Sequence, residues 1–156
     1  MAVVTLKSGP ITNRDATPKV LNKAGSYKGM INESVGTIET GAADDIGSIY
    51  KLASVPSNAR VSQVLLYCDD IGTTTIADIG LYKSTANGAT VQDADFFGSA
   101  VSLKDGALNG SDVTHESGVY NIDDLEKPLW EALGLSSDPN IEFDVCLTLT
   151  AASDAV

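Results

Sequence analysis

The chain is poor in the residues that carry most site chemistry. Its 156 residues include one histidine, one tryptophan, two cysteines and two methionines, and aromatic residues make up 6%. A lone histidine excludes the multi-histidine metal sites. Cys68 and Cys146 have no Cys-x-x-Cys partner and no histidine at ligand spacing, which argues against zinc. Both fall inside strand-like runs far apart in sequence and read as two buried thiols, although a bridge would form if their Cα atoms came within about 7 Å. Positive charge is also scarce: 10 basic against 21 acidic residues give a net charge of −11 and a pI near 4.2. Such a chain is repelled by phosphate backbones and anionic lipid, so neither nucleic acid nor membrane is expected as a partner. No apolar run approaches membrane-span length. Met1–Lys7 is too quickly broken to serve as a signal h-region.

Catalytic signatures are missing as well. The chain contains no GxxxxGK[ST], GxGxxG, HExxH or GxSxG. His115 sits in a loop-like stretch, SDVTHESG, beside Ser111, Asp112, Glu116 and Ser117, but adjacency in sequence is not triad geometry. Acidic pairs stand at 44/45, 69/70 and 123/124, and Asp93 and Asp95 alternate. Paired carboxylates suit calcium or glycosidic acid/base work, yet each pair falls at a strand end or loop, where aspartate is favoured by turn geometry alone. Asn32-Glu33-Ser34 and Asn109-Gly110-Ser111 fit the glycosylation pattern, which carries no weight without secretion. The expectation is a protein that is not an enzyme and holds no cofactor or metal.

What the chain does have is β-strand pattern. A hydrophobic content of 43% and a mean hydropathy of +0.04 suit one globular domain. Gly47–Lys83 reads as three consecutive strands: Ile49–Val55, Val61–Cys68 and Ile76–Lys83, separated by Pro56-Ser57-Asn58 and Asp69-Asp70-Ile71-Gly72. In the third, Ala77, Ile79 and Leu81 share one face while Asp78 and Tyr82 take the other. Met30–Thr40 is expected to be an earlier strand with Gly36 as a bulge or close-approach point. Asn87-Gly88 marks a hairpin turn. Val91–Leu103 reads either as a strand pair or as one strand bulged at Gly98. Lys104–Ser117 reads as loop and Gly118–Ile122 as a short strand. One helix of about two turns is expected from Pro128 to Gly134, with Leu129, Trp130 and Leu133 inward. Ile141–Ala151 closes the chain with Phe143, Val145, Leu147 and Leu149 inward and Asp144, Cys146, Thr148 and Thr150 outward. Seven or eight strands with one short helix predict an all-β, jelly-roll or Greek-key β-sandwich over 29–156.

Residues 1–28 differ. Gly, Pro, Asn, Thr and Lys crowd together and no periodicity lasts, so the segment is expected to be an extended N-terminal arm. Fully stretched, it would reach on the order of 80 Å. Lys7, Arg14, Lys19, Lys23 and Lys28 stand in it against Asp15 alone. Ile11, Val20 and Leu21 are its candidate apolar anchors, and Arg14 and Lys19 its candidate charged contacts with a partner.

Six stretches resemble a known family: ITNRDATPKVLN (Ile11–Asn22), GSIYKLASVPSNARVSQVLLYCD (Gly47–Asp69), DIGLYKS (Asp78–Ser84), DADFFGSAVSL (Asp93–Leu103), DVTHESGVY (Asp112–Tyr120) and EKPLWEALGL (Glu126–Leu135). They are similar, in the same order, to the cement, or decoration, proteins of tailed-bacteriophage heads. The resemblance implies a jelly-roll sandwich on the outer capsid surface of the virion. It would bind the major capsid protein, bridge neighbouring capsomers and self-associate as a homodimer or a trimer. The arm residues Ile11, Arg14, Lys19, Val20 and Leu21 would then contact the capsid. The rival expectation is a carbohydrate-binding sandwich using Tyr50, Tyr67, Tyr82 or Trp130.

Overall fold

A computed structural model describes residues 7–22, 29–41, 44–104 and 106–153. The chain divides into two compact units, Met1–Glu33 and Ser34–Val156.

The first unit contains a helix where an extended arm was expected. Helix α1 spans Gly9–Asp15. Pro10 occupies its first turn, where a missing N–H costs nothing and a fixed φ suits the helix. Thr12 N–H and Oγ1 both donate to the Ser8 carbonyl. Asp15 binds Lys7 at 2.9 Å and Arg14 at 2.8 Å, closing the helix on its own charges. Such a short helix lacks the apolar stripe that would announce it in the sequence.

The second unit is all-β, with antiparallel pairing throughout. Strands β1 (Ile49–Pro56), β6 (Glu142–Ala151), β3 (Ile76–Lys83) and β4 (Val91–Ser102) form a four-stranded sheet in that order, and β2 (Leu65–Cys68) pairs with β5 (Leu108–Asp112). Buried residues of both sheets meet in one core, including Leu66, Ile79, Leu81, Phe96, Phe97, Val113, Tyr120, Phe143 and Leu149. The sandwich-like, all-β expectation therefore stands, with six strands among the described residues.

The differences from seven or eight strands have local causes. Met30–Thr40 enters no ladder; a Cβ placed on Gly36 would lie 1.6 Å from the Leu52 carbonyl oxygen, closer than any side chain allows. Leu52 is the extra residue of a bulge between Lys51 and Ala53, so the close approach of segment 34–41 to β1 occurs at a break in the β1–β6 ladder. Val61–Val64 was expected to be strand, but its polar groups are satisfied from the side: Val61 accepts from Tyr120 Oη, and Val64 bonds Thr114 Oγ1 and the Val113 N–H. β5 occupies Leu108–Asp112, expected as loop. Gly110, at φ +76°, is the bulge residue opposite Leu66 and Tyr67, so Asn-Gly-Ser makes a kinked strand rather than a turn. Gly118–Ile122 is a run of bends ending in a 3-10 turn at Ile122–Asp124, and makes no strand.

Val91–Leu103 is one strand with a large excursion. Ile79 pairs Gly98 and Leu81 pairs Asp93, so the four residues 94–97 stand opposite Gly80 alone. This break in alternation is how consecutive Phe96 and Phe97 are both fully buried. Their carbonyls are taken up by Tyr120 N–H, Ser117 N–H and Ser117 Oγ. A Cβ on Gly80 would meet the Asp93 carbonyl oxygen at 2.2 Å and the Ala94 carbonyl at 2.3 Å, so backbone crosses the outer face of the sheet there. Cys146 is Gly80's partner on β6 and shares that covered face. It is fully buried there, on the outward-facing side of β6 where it was expected, because that face is covered. Helix α2 is one turn, Leu129–Ala132, shorter than expected; the Leu129 and Trp130 N–H groups donate to the Ala59 and Ser57 carbonyls.

Candidate interaction surface

The five proposed contact residues lie on or just after α1. Asn13 organises the chain that follows: its carbonyl accepts the Val20 N–H at 3.2 Å, and its side-chain amide donates to Asn22 Oδ1 at 2.8 Å. The returning segment holds Lys19, Val20 and Leu21 outward. Val20 is 53% and Leu21 93% exposed, Arg14 and Lys19 are exposed, and Ile11 is half-buried. Two adjacent aliphatic side chains in water beside a lysine suit docking better than a monomer surface. Arg14 is held by Asp15, whose carboxyl these two cations keep far below the usual carboxylate range.

A second apolar strip was not recognised from sequence. Val35, Ile38, Ile46 and Ile49 are all exposed along the segment that runs beside β1 and turns back into it. Asp44 fastens that turn. Its carboxylate accepts the Gly41 N–H at 2.8 Å and Tyr50 Oη at 2.6 Å, and its carbonyl accepts the Ser153 N–H. The Tyr50 bond, then the Gly41 bond, lower the Asp44 pKa, while burial and then Asp44 push the Tyr50 phenol up to about 12. The signal was present: Met30–Thr40 has a strand's residue pattern, and that pattern meets water instead of a sheet.

The candidate catalytic groups are engaged separately. His115 stacks on Tyr120 at 5.4 Å and donates through Nδ1 to the Tyr120 carbonyl at 2.8 Å. Glu116 accepts the Ser99 N–H, Ser117 Oγ donates to Phe96, and Asp112 accepts from Thr114 and Gln63. Among the described residues no hydrogen bond joins His115 to Ser111, Asp112, Glu116 or Ser117. The acidic pairs serve their own turns. Asp70 accepts the Gly72 N–H, and Asp124 binds Lys127 at 2.7 Å and the Asn121 N–H at 2.9 Å. Asp93 and Asp95 do meet. Burial, followed by the Asp95 carboxyl, holds Asp93 above its ordinary pKa. Among the described residues no group of three His, Cys, Asp or Glu side chains is placed to hold a metal, and no helix is long and apolar enough to cross a membrane.

The aromatic candidates for a sugar groove are dispersed. Tyr82 is buried and shares a 2.8 Å hydrogen bond with Thr148, Tyr50 is tied to Asp44, and Tyr67 lies over Gly110. Trp130 is half-buried on α2. One shallow depression of about 420 Å³ is lined by Asn121, Ile122, Asp123, Asp124 and Lys127, and another of about 200 Å³ by residues around Leu135 and Phe143. Neither contains those four aromatics. Cys68 and Cys146 are free thiols, with Cys146 pushed up to about 11 by burial. No protein-family model, curated protein or solved structure matches the chain.

Proposed function

We propose that this chain is a structural virion protein that binds the outer surface of a tailed-phage capsid and cements neighbouring capsomers of the major capsid protein. The resemblance of six ordered stretches to cement proteins supplies the phage context, including the family's jelly-roll or Greek-key arrangement. The observation on this chain that carries the reading is the exposed pair Val20–Leu21, presented beside Lys19 by the Asn13 bonds. Surfaces of this kind, repeated over a symmetric shell, add many modest contacts that avidity makes strong. Each contact is worth less than its buried area suggests, because ordering an arm on its target costs conformational entropy.

Deleting residues 2–24 tests the arm directly. The truncated chain is expected to keep the β unit folded, by circular dichroism and a cooperative melt, and to lose decoration of purified undecorated heads. Decoration at full occupancy by the truncated chain would sink the assignment of Ile11, Arg14, Lys19, Val20 and Leu21.

A further inference from the structure

Two of the exposed apolar surfaces of this chain are complementary. Residues 1–33 carry five basic and two acidic side chains, and residues 34–156 carry five basic and nineteen acidic ones. The formal charges are therefore +3 and −14 in two separately compact units. On the first, Val20 and Leu21 stand exposed beside Lys19, which has no acidic partner among the described residues. On the second, Val35 and Ile38 stand exposed in the segment that Gly36 brings against β1, and Ile46 and Ile49 stand exposed at the entry to β1. Exposed Glu39 and Asp45, to which no cation bonds among the described residues, lie between these two pairs in sequence. Four branched side chains exposed to this degree present on the order of 400 Å² of apolar surface, the size of a patch that usually serves binding. Like-on-like packing of two such strips would bring Glu39 and Asp45 of both copies together, which disfavours it. A basic, apolar segment fits instead, and this chain carries one.

We propose that the arm segment Lys19–Leu21 of one copy docks on the β1-edge strip of a second copy. Val20 and Leu21 cover Val35, Ile38, Ile46 and Ile49, and Lys19 lies between Glu39 and Asp45. Two copies exchange arms about a two-fold axis, or the contact passes head to tail from copy to copy. Its charge component weakens within a Debye length of about 8 Å at physiological salt, so association falls as salt rises. This contact uses the same Lys19, Val20 and Leu21 that the capsid reading uses, so one arm makes one contact or the other. The test below contains no heads and decides this contact separately from that reading.

Zero-length carbodiimide cross-linking of the full chain tests it, using an equimolar mixture of ¹⁴N- and ¹⁵N-labelled protein at low salt. The expected product joins Lys19 to Glu39 or Asp45, with mixed-isotope species making up about half of it. Sedimentation velocity of the same protein is expected to show concentration-dependent association that weakens at least tenfold in Leu21→Asp. A charge swap adds a positive control: Lys19→Glu and the double variant Glu39→Lys/Asp45→Lys each associate poorly alone and recover when mixed. Cross-links confined to single-isotope species would mean that the arm covers its own body, and would overturn the proposal. So would a chain that stays monomeric at every concentration, or association undiminished in Leu21→Asp.

Discussion

Individual residues in this protein are constrained mainly by backbone that passes too close for a side chain. Gly80 is the sharpest case. Its missing Cβ leaves room for the Asp93 and Ala94 carbonyl groups, and that crossing permits Phe96 and Phe97 to enter the core together. Gly80→Ala forces rigid backbone to move, and is expected to cost about 3 kcal/mol, the upper part of the range for overpacking. That corresponds to a melting temperature lower by roughly 10 °C for a chain of this size. Gly9→Ala, whose added methyl meets nothing, is the control and should not lower it. The Asp93–Asp95 pair acts through charge. Asp93 has its folded pKa raised above the unfolded value, so its favourable contribution is complete below the ordinary carboxylate pKa and is lost as pH rises through the folded one. Asp95→Asn removes the like charge and keeps the Asp95 N–H bond to Asp93 Oδ1. It is expected to stabilise the chain at pH 7 by about 0.5 kcal/mol after solvent screening, and by nothing below about pH 3. Thermal melts of the two proteins across pH 2.5–7.5 check both the sign and the window.

At the scale of elements, the loop that follows β5 holds the aromatic core together. Phe96, Phe97 and Tyr120 form a cluster with ring centroids 5.0 to 5.5 Å apart. Tyr120 Oη reaches out of it to the Val61 carbonyl at 2.7 Å, and burial, with Asp124 nearby, pushes its phenol up to about 12. Tyr120→Phe keeps the ring and orphans that carbonyl, at an expected cost of about 1 kcal/mol. Hydrogen exchange should rise at residues 61–64 and stay unchanged in β6; a uniform rise would refute this local role. Elements whose pattern is set by burial alone were legible in the sequence. β3 and β6 sit in the middle of the sheet, and their alternation identified them almost to the residue. β5 was not legible, since Asn109-Gly110-Ser111 has turn chemistry and becomes a strand only because a bulge at Gly110 keeps it paired with β2. Met30–Thr40 failed in the opposite sense, because Gly36 presses on the bulged Leu52 carbonyl and no ladder forms. α1 was hidden because Pro10 and local ion pairs stabilise it rather than an apolar stripe. Of the candidate surface, the anchors Val20 and Leu21 could be picked out as apolar residues in a polar arm. The strip from Val35 to Ile49 was passed over, because residues with a strand's pattern are normally buried.

Across the whole molecule, charge and apolar surface are sorted together. The residues with excess positive charge expose Val20, Leu21, Met30 and Ile31, and the acidic remainder exposes Val35, Ile38, Ile46 and Ile49 among others. On the proposed capsid reading, the chain would have to tolerate high local concentration before assembly and bind at many points after it. A strongly acidic body serves the first requirement through mutual repulsion. Modest apolar contacts repeated over many copies would serve the second. The measurement that tests this account most directly is co-sedimentation of the purified full chain with undecorated phage heads over a range of concentrations. The account predicts saturable binding, with a fixed number of copies per head, and heads that resist heat better once saturated. A chain that remains in the supernatant at every concentration, leaving head stability unchanged, would contradict it.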